Sequence, residues 1–239
     1  MPRQCRNDGV TLSRRGLTLR GIALGWLPIM AIPWIVCGES PRERKESRED
    51  VLLIHADGTY ESVCVWQYGG NIPPDFGAFA ENYQGAAQVD SVVLDVTRLF
   101  GFIGTFADIY VWGDEGGVPG EVLRLVEDVW LLNVPSWPTV GRNCIGLPEP
   151  VCVGDTWWVG FWGRWPNNQA DFFIAADLDG PGGGSPMTKI APGQGFPTGW
   201  HGVALVWGPT AALGIGAVVE ECPTPVESET WGSIKALYR

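Results

Sequence analysis

The sequence predicts an all-β fold: an antiparallel two-sheet sandwich, jelly-roll-like, with a short C-terminal tail. Three observations predict it. Apolar and polar residues alternate with period two in several segments, which gives a strand one buried and one solvated side. Gly and Pro, 33 and 19 of 239 residues, punctuate those segments at short intervals. No window of helical length carries a convincing amphipathic 3.6-residue period in the body of the chain.

The elements follow in order. Residues 1–38 read as an export signal. Arg3, Arg6, Arg14, Arg15 and Arg20 form a basic start, Gly21 to Val36 is apolar, and Cys37-Gly38-Glu39 breaks the run. Pro28 and Pro33 and the shortness of the run argue against a membrane span, which takes about 20 residues. Ser13-Arg14-Arg15-Gly16-Leu17 fits a twin-arginine signal loosely, and Cys37 is a weaker lipidation candidate because Val36 before it is large. Residues 39–50 mix both charge signs without apolar residues and read as a linker.

Residues 51–222 form the sandwich domain. In 89–99, Val92, Leu94 and Val96 fall on one side and Ser91, Asp95 and Thr97 on the other. In 105–112, Ala107, Ile109 and Val111 alternate with Asp108 and Tyr110. Further strands are expected at 60–67, 76–83, 121–132, 150–163, 170–178, 200–208 and 213–221, rich in Trp, Val, Phe and Tyr. Pro119-Gly120 suits a type II turn, and 179–186 is a Gly-rich loop. Residues 223–239 form a Pro223-Thr-Pro225 spacer and a tail. There Trp231, Ile234, Leu237 and Tyr238 share a helical stripe, too short to be stable alone.

Charge excludes one class of partner. From Val51 onward, 7 Lys/Arg face 21 Asp/Glu, a net −14. Such a surface repels nucleic acid and anionic membranes and favours divalent cations. The cysteines left after the leader are Cys64, Cys144, Cys152 and Cys222. An even number in an exported chain points to disulfides, expected as Cys144–Cys152 and Cys64–Cys222.

Asp57-Gly-Thr-Tyr-Glu61, Trp66-Gln-Tyr-Gly-Gly70, Val111-Trp-Gly-Asp-Glu-Gly-Gly-Val-Pro-Gly120 and Trp157 to Gly160 resemble secreted β-sandwich modules of Gram-negative bacterial surface proteins. The end, Trp231-Gly-Ser-Ile-Lys-Ala-Leu-Tyr-Arg239, looks like a short C-terminal targeting segment of such proteins. The resemblance implies fold and a secreted or cell-surface location rather than an activity.

Binding is the first chemistry considered. Thr156-Trp-Trp-Val-Gly-Phe-Trp-Gly-Arg-Trp165 concentrates aromatic rings on one strand and its turn. Trp157, Val159 and Phe161 point one way, Trp158, Gly160 and Trp162 the other. One side must be core. The other is either covered or a platform on which a glycan or other cell-surface component stacks, with Trp158, Trp162, Trp165, Trp66 and Trp112 as the candidate rings. Filling of a two-sheet core is the stronger expectation for most of them. Metal is second: Asp177-Leu-Asp179-Gly180, with Asp171 upstream, offers calcium-type oxygen ligands beside a Gly-rich loop, though without the EF-hand pattern. Ordinary turn acids would look the same. Catalysis is weakest. No G-x-S-x-G, H-E-x-x-H or P-loop is present, and His55 and His201 are the only histidines. Glu61, Asp75 and Glu81 flank aromatic strands, but acids this numerous cluster by chance. The reading is an exported, non-catalytic surface or binding module that recognises carbohydrate by stacking. The alternatives are a carbohydrate-active hydrolase or lyase, and a purely structural or adhesive surface protein.

Overall fold

The computed structural model describes residues 50–99, 105–165 and 170–222. The expected export signal, the linker up to residue 49 and the C-terminal spacer and tail lie outside the described residues.

Thirteen strands follow one another in these segments: β1 (Val51–Ile54), β2 (Ser62–Cys64), β3 (Phe79–Gln84), β4 (Ala87–Thr97), β5 (Phe106–Asp114), β6 (Pro119–Trp130), β7 (Gly141–Val153), β8 (Thr156–Gly163), β9 (Phe173–Asp177), β10 (Met187–Ile190), β11 (Gly199–Gly202), β12 (Ala212–Leu213) and β13 (Ile215–Glu220). They form two antiparallel sheets packed against each other. One contains the order β2-β9-β4-β7, the other β3-β8-β5-β6. From β2 to β9 the chain changes sheet at every connection except the β5–β6 hairpin. This interleaving of two four-stranded sheets is the jelly roll. Extra strands extend it. β13 lies end to end with β9 along one flank of β4, and β1 pairs outside β13. The β10–β11 hairpin adds to the second sheet beside β3.

Period-two patterning places the core. Val92, Leu94 and Val96 of β4 meet Ala107, Ile109 and Val111 of β5 and Trp157, Val159 and Phe161 of β8 between the sheets, all at most 1% exposed. Such burial is worth about 1.5–3 kcal/mol for each large apolar side chain. The alternation read from the sequence therefore holds in these three strands.

Other elements differ. The single strand expected at 150–163 is two strands, β7 and β8, separated by the Gly154-Asp155 turn, and β7 begins at Gly141. The strand expected at 200–208 stops at Gly202 and gives way to one helical turn, α1 (Ala204–Trp207). Strands β1 and β10 carry little alternation of their own and take their geometry from paired neighbours. Pro119 is not in the turn: it opens β6 opposite Asp114, and Gly116 and Gly117 supply the positive φ values, +68° and +89°.

The disulfide is Cys152–Cys222, which corrects both expected pairings. Cys144 and Cys152 occupy the same strand, eight residues or roughly 25 Å apart, far beyond disulfide reach. Gln88 of β4 pairs with Cys152 on one side and Glu220 on the other. The chain leaving β13 thus crosses the start of β4 and brings Cys222 to Cys152, with Cα atoms 5.7 Å apart. Cys64 is buried in β2 among core side chains, and Cys144 is exposed without a disulfide.

Candidate functional site

The second sheet carries a separate apolar layer on its outer side, away from the core. Ala80 of β3 and Ala78 just before it, Trp158 and Trp162 of β8, and Tyr110 and Trp112 of β5 compose it, with Met187 and Trp200 packed at its margin. Gly160 lies between the two tryptophans. A Cβ there would overlap the Phe79 carbonyl, so glycine permits the close approach of β8 and β3. Tyr110 and Trp112 stack with ring centres 4.7 Å apart, and the Trp200 edge meets Trp112 at 5.5 Å. β5 and β11 are four strand spacings apart, roughly 19 Å. The Trp112 and Trp200 rings must therefore lean toward each other across the intervening strands, in a layer that includes Ala78 and Ala80.

This packing decides where the expected platform rings stand. Trp158 and Trp112 are 1% exposed, and Trp162 is 7% exposed. Trp66 and Trp165 belong to the inter-sheet core, against Trp207 and Phe172 respectively. Three of the indole N–H groups find acceptors within the protein, while that of Trp165 is buried without one. Trp158 donates to Asp114 Oδ1 (2.9 Å), Trp162 to the Phe76 carbonyl (2.9 Å) and Trp66 to Thr188 Oγ1 (2.7 Å). As an open platform these five rings are therefore corrected: each is covered by neighbouring rings or by the segment before β3. Burial also raises the Tyr110 hydroxyl to about 12, helped by the charge of Asp108.

What the aromatic layer does present is its rim. Phe76, Met187 and Trp200 are half-buried there. The Lys189 ammonium donates to both oxygens of Asp75 (2.8 Å each) and lies 5.5 Å from the Phe76 ring centre and 5.7 Å from that of Trp200. The Lys189 and Asp75 side chains keep 25% and 14% exposure. Lys189 and Trp200 are direct partners in the β10–β11 ladder, which puts cation and ring on one side. Sequence reading missed Lys189 and Trp200. No local signal marked them, because the Met-Thr-Lys-Ile run of β10 does not alternate apolar with polar residues and only pairing with β11 sets Lys189 beside Trp200.

The acidic candidates rearrange as well. Asp177 and Asp179 come together with Glu61, ligand atoms within 4.8 Å of one another. Asp171 does not join them. It lies before β9, six residues or roughly 20 Å along an extended chain from Asp177. Backbone donors already fill much of the cluster. Asp177 Oδ1 accepts from the Asp179 and Gly180 N–H groups, its Oδ2 from Asp57, and Glu61 Oε2 from Leu178. These bonds tie the 177–180 turn to the segment between β1 and β2 without needing an ion.

A second polar assembly holds β4 to β7. Asp95, 3% exposed, receives the Arg142 guanidinium through both oxygens (2.8 and 2.6 Å) and the Tyr60 hydroxyl (2.5 Å). Burial and the neighbouring carboxylate push the Tyr60 hydroxyl well above its ordinary range.

No family model, no curated protein and no solved structure matches the chain.

Proposed function

We propose that this chain is exported and works as a non-catalytic binding module at or beyond the cell surface, taking an uncharged carbohydrate at the rim of the six-stranded sheet. The observation that carries the reading is the half-exposed Trp200 and Phe76 pair bracketing the Lys189–Asp75 ion pair. A ring face packs against sugar C–H groups, and an ammonium beside a carboxylate offers a donor and an acceptor to adjacent hydroxyls. Lys189 is already neutralised by Asp75, and the chain is strongly acidic, so anionic sugars are disfavoured. Export is supported by the basic-then-apolar start of the sequence and by the Cys152–Cys222 disulfide. No helix among the described residues is long and apolar enough to cross a membrane.

A glycan array of neutral and acidic polysaccharides tests the proposal. Binding to neutral glycans, lost in Trp200→Ala and in Lys189→Met while far-ultraviolet circular dichroism is unchanged, is the expected result. No binding to any glycan returns the chain to the purely structural reading, which the burial of the five other tryptophans favours.

A further inference from the structure

Glu81 is a fully buried carboxyl. It sits in β3 between Phe79 and Tyr83, on the core side, with no solvent exposure. Its Oε2 accepts the Leu213 N–H of β12 (3.0 Å), so one carboxyl reaches from one sheet to the other. Its Oε1 is buried and has no hydrogen-bond partner. Among the described residues no ion pair includes it.

A glycine loop presses on that orphan oxygen. A Cβ on Gly184 would overlap both Glu81 Oε1 and Cδ2 of His55, so only glycine lets residues 181–185 close here. Asn82 fastens the closure. Its side-chain oxygen accepts the Ser185 N–H (2.8 Å), and its carbonyl is bonded to His55 Nε2 (2.8 Å). A carbonyl only accepts, so Nε2 is the donor in this bond, and the Nδ1 edge of the ring faces Gly183. The His55 ring lies flat on Tyr83 at 4.6 Å, and the Tyr83 hydroxyl donates to the Ile215 carbonyl of β13.

We propose that Glu81, His55 and the loop 181–185 form a pH-gated latch between the sheets, closed while Glu81 carries its proton. A neutral carboxyl tolerates the dry site beneath Gly184. An ionised one requires water at Oε1, and the cover pressed on that oxygen is the glycine loop. Backbone N–H groups favour the Glu81 anion less than burial disfavours it, and no cation faces it. Tyr83 from its own strand is a phenol, His55 from the segment after β1 is tied to Asn82, and β12 and the loop supply backbone groups. Tyr60, beyond Tyr83, adds no positive charge. Consistently, burial raises the Glu81 carboxyl to about 8, against a smaller opposing effect of backbone donors.

Hydrogen exchange on the full chain, corrected for intrinsic rates, tests this. Protection of peptides spanning 181–185 and 211–216 is expected to be about tenfold lower at pH 9 than at pH 6.5, while a β4 peptide stays constant. Glu81→Gln keeps the neutral shape and is expected to remove the pH dependence. Equal protection at both pH values in the wild type, or the same loss in Glu81→Gln, overturns the latch. If that variant does not fold, the Glu81 carboxyl carbon followed by NMR in the wild type decides: a midpoint near 8 supports the proposal, and one near 4.5 overturns it.

Discussion

Replacing Trp158 with Ala separates packing from ligand contact. The side chain is 1% exposed, packs in the outer layer with Ala78, Ala80, Tyr110, Trp112 and Trp162, and donates its indole N–H to Asp114. Deleting a buried tryptophan costs about 3–5 kcal/mol, the higher figure applying where the site cannot collapse. Collapse is hindered here, because the layer rests on a rigid sheet and Gly160 offers no side chain to fill the gap. The lost hydrogen bond adds little, since Asp114 is exposed and water replaces the donor. With a urea m-value of about 2–3 kcal/mol/M, the unfolding midpoint is expected to fall by about 1–2 M. Trp158→Phe should recover most of this, and Trp130→Ala, at a ring 58% exposed, should change it by less than about 0.5 kcal/mol, apart from its contact with Phe106. A Trp158→Ala protein that unfolds with the wild type while losing glycan binding would refute the packing argument, because it would place the ring in ligand contact.

Three further outcomes are expected. Wild-type stability should fall as pH rises from about 5 to 8, because the folded state keeps a proton on Glu81 that the unfolded chain releases at its ordinary value; the difference amounts to on the order of 4–5 kcal/mol, and Glu81→Gln should flatten that part of the curve in pH-dependent denaturation. Cys152→Ser should cost about 4 kcal/mol from the 70-residue loop it opens, less any residual structure in the unfolded chain, and dithiothreitol should lower the wild-type Tm without affecting the variant. Asp95→Asn should destabilise by about 1–2 kcal/mol, because Arg142 is exposed enough to regain water, and tyrosinate absorbance should show Tyr60 ionising closer to its ordinary value.

Much of the fold was legible because the rule behind it is local. Val92, Leu94 and Val96 point into the core for the same reason that they alternate with Ser91, Asp95 and Thr97: side chains on a strand change sides at every residue. The same rule put Trp157 and Trp158 on opposite sides correctly. It could not say that the second side would also be covered, because that depends on rings from β5 and β11 that are distant in sequence. β1 and β10 were illegible for a related reason, being four-residue strands that a neighbour's ladder holds in place.

The sequence by itself determined that this protein is built of strands, that Gly and Pro divide them, and that its surface is acidic, since these follow from composition and from contacts between residues one or two positions apart. Only the tertiary structure decided that Cys152 meets Cys222, that Glu61 replaces Asp171 beside Asp177, and that Lys189 lies between Phe76 and Trp200. Each of these depends on which strands lie side by side, and the jelly roll sets that by joining segments far apart along the chain, at separations where a residue's neighbours in sequence no longer constrain its neighbours in space.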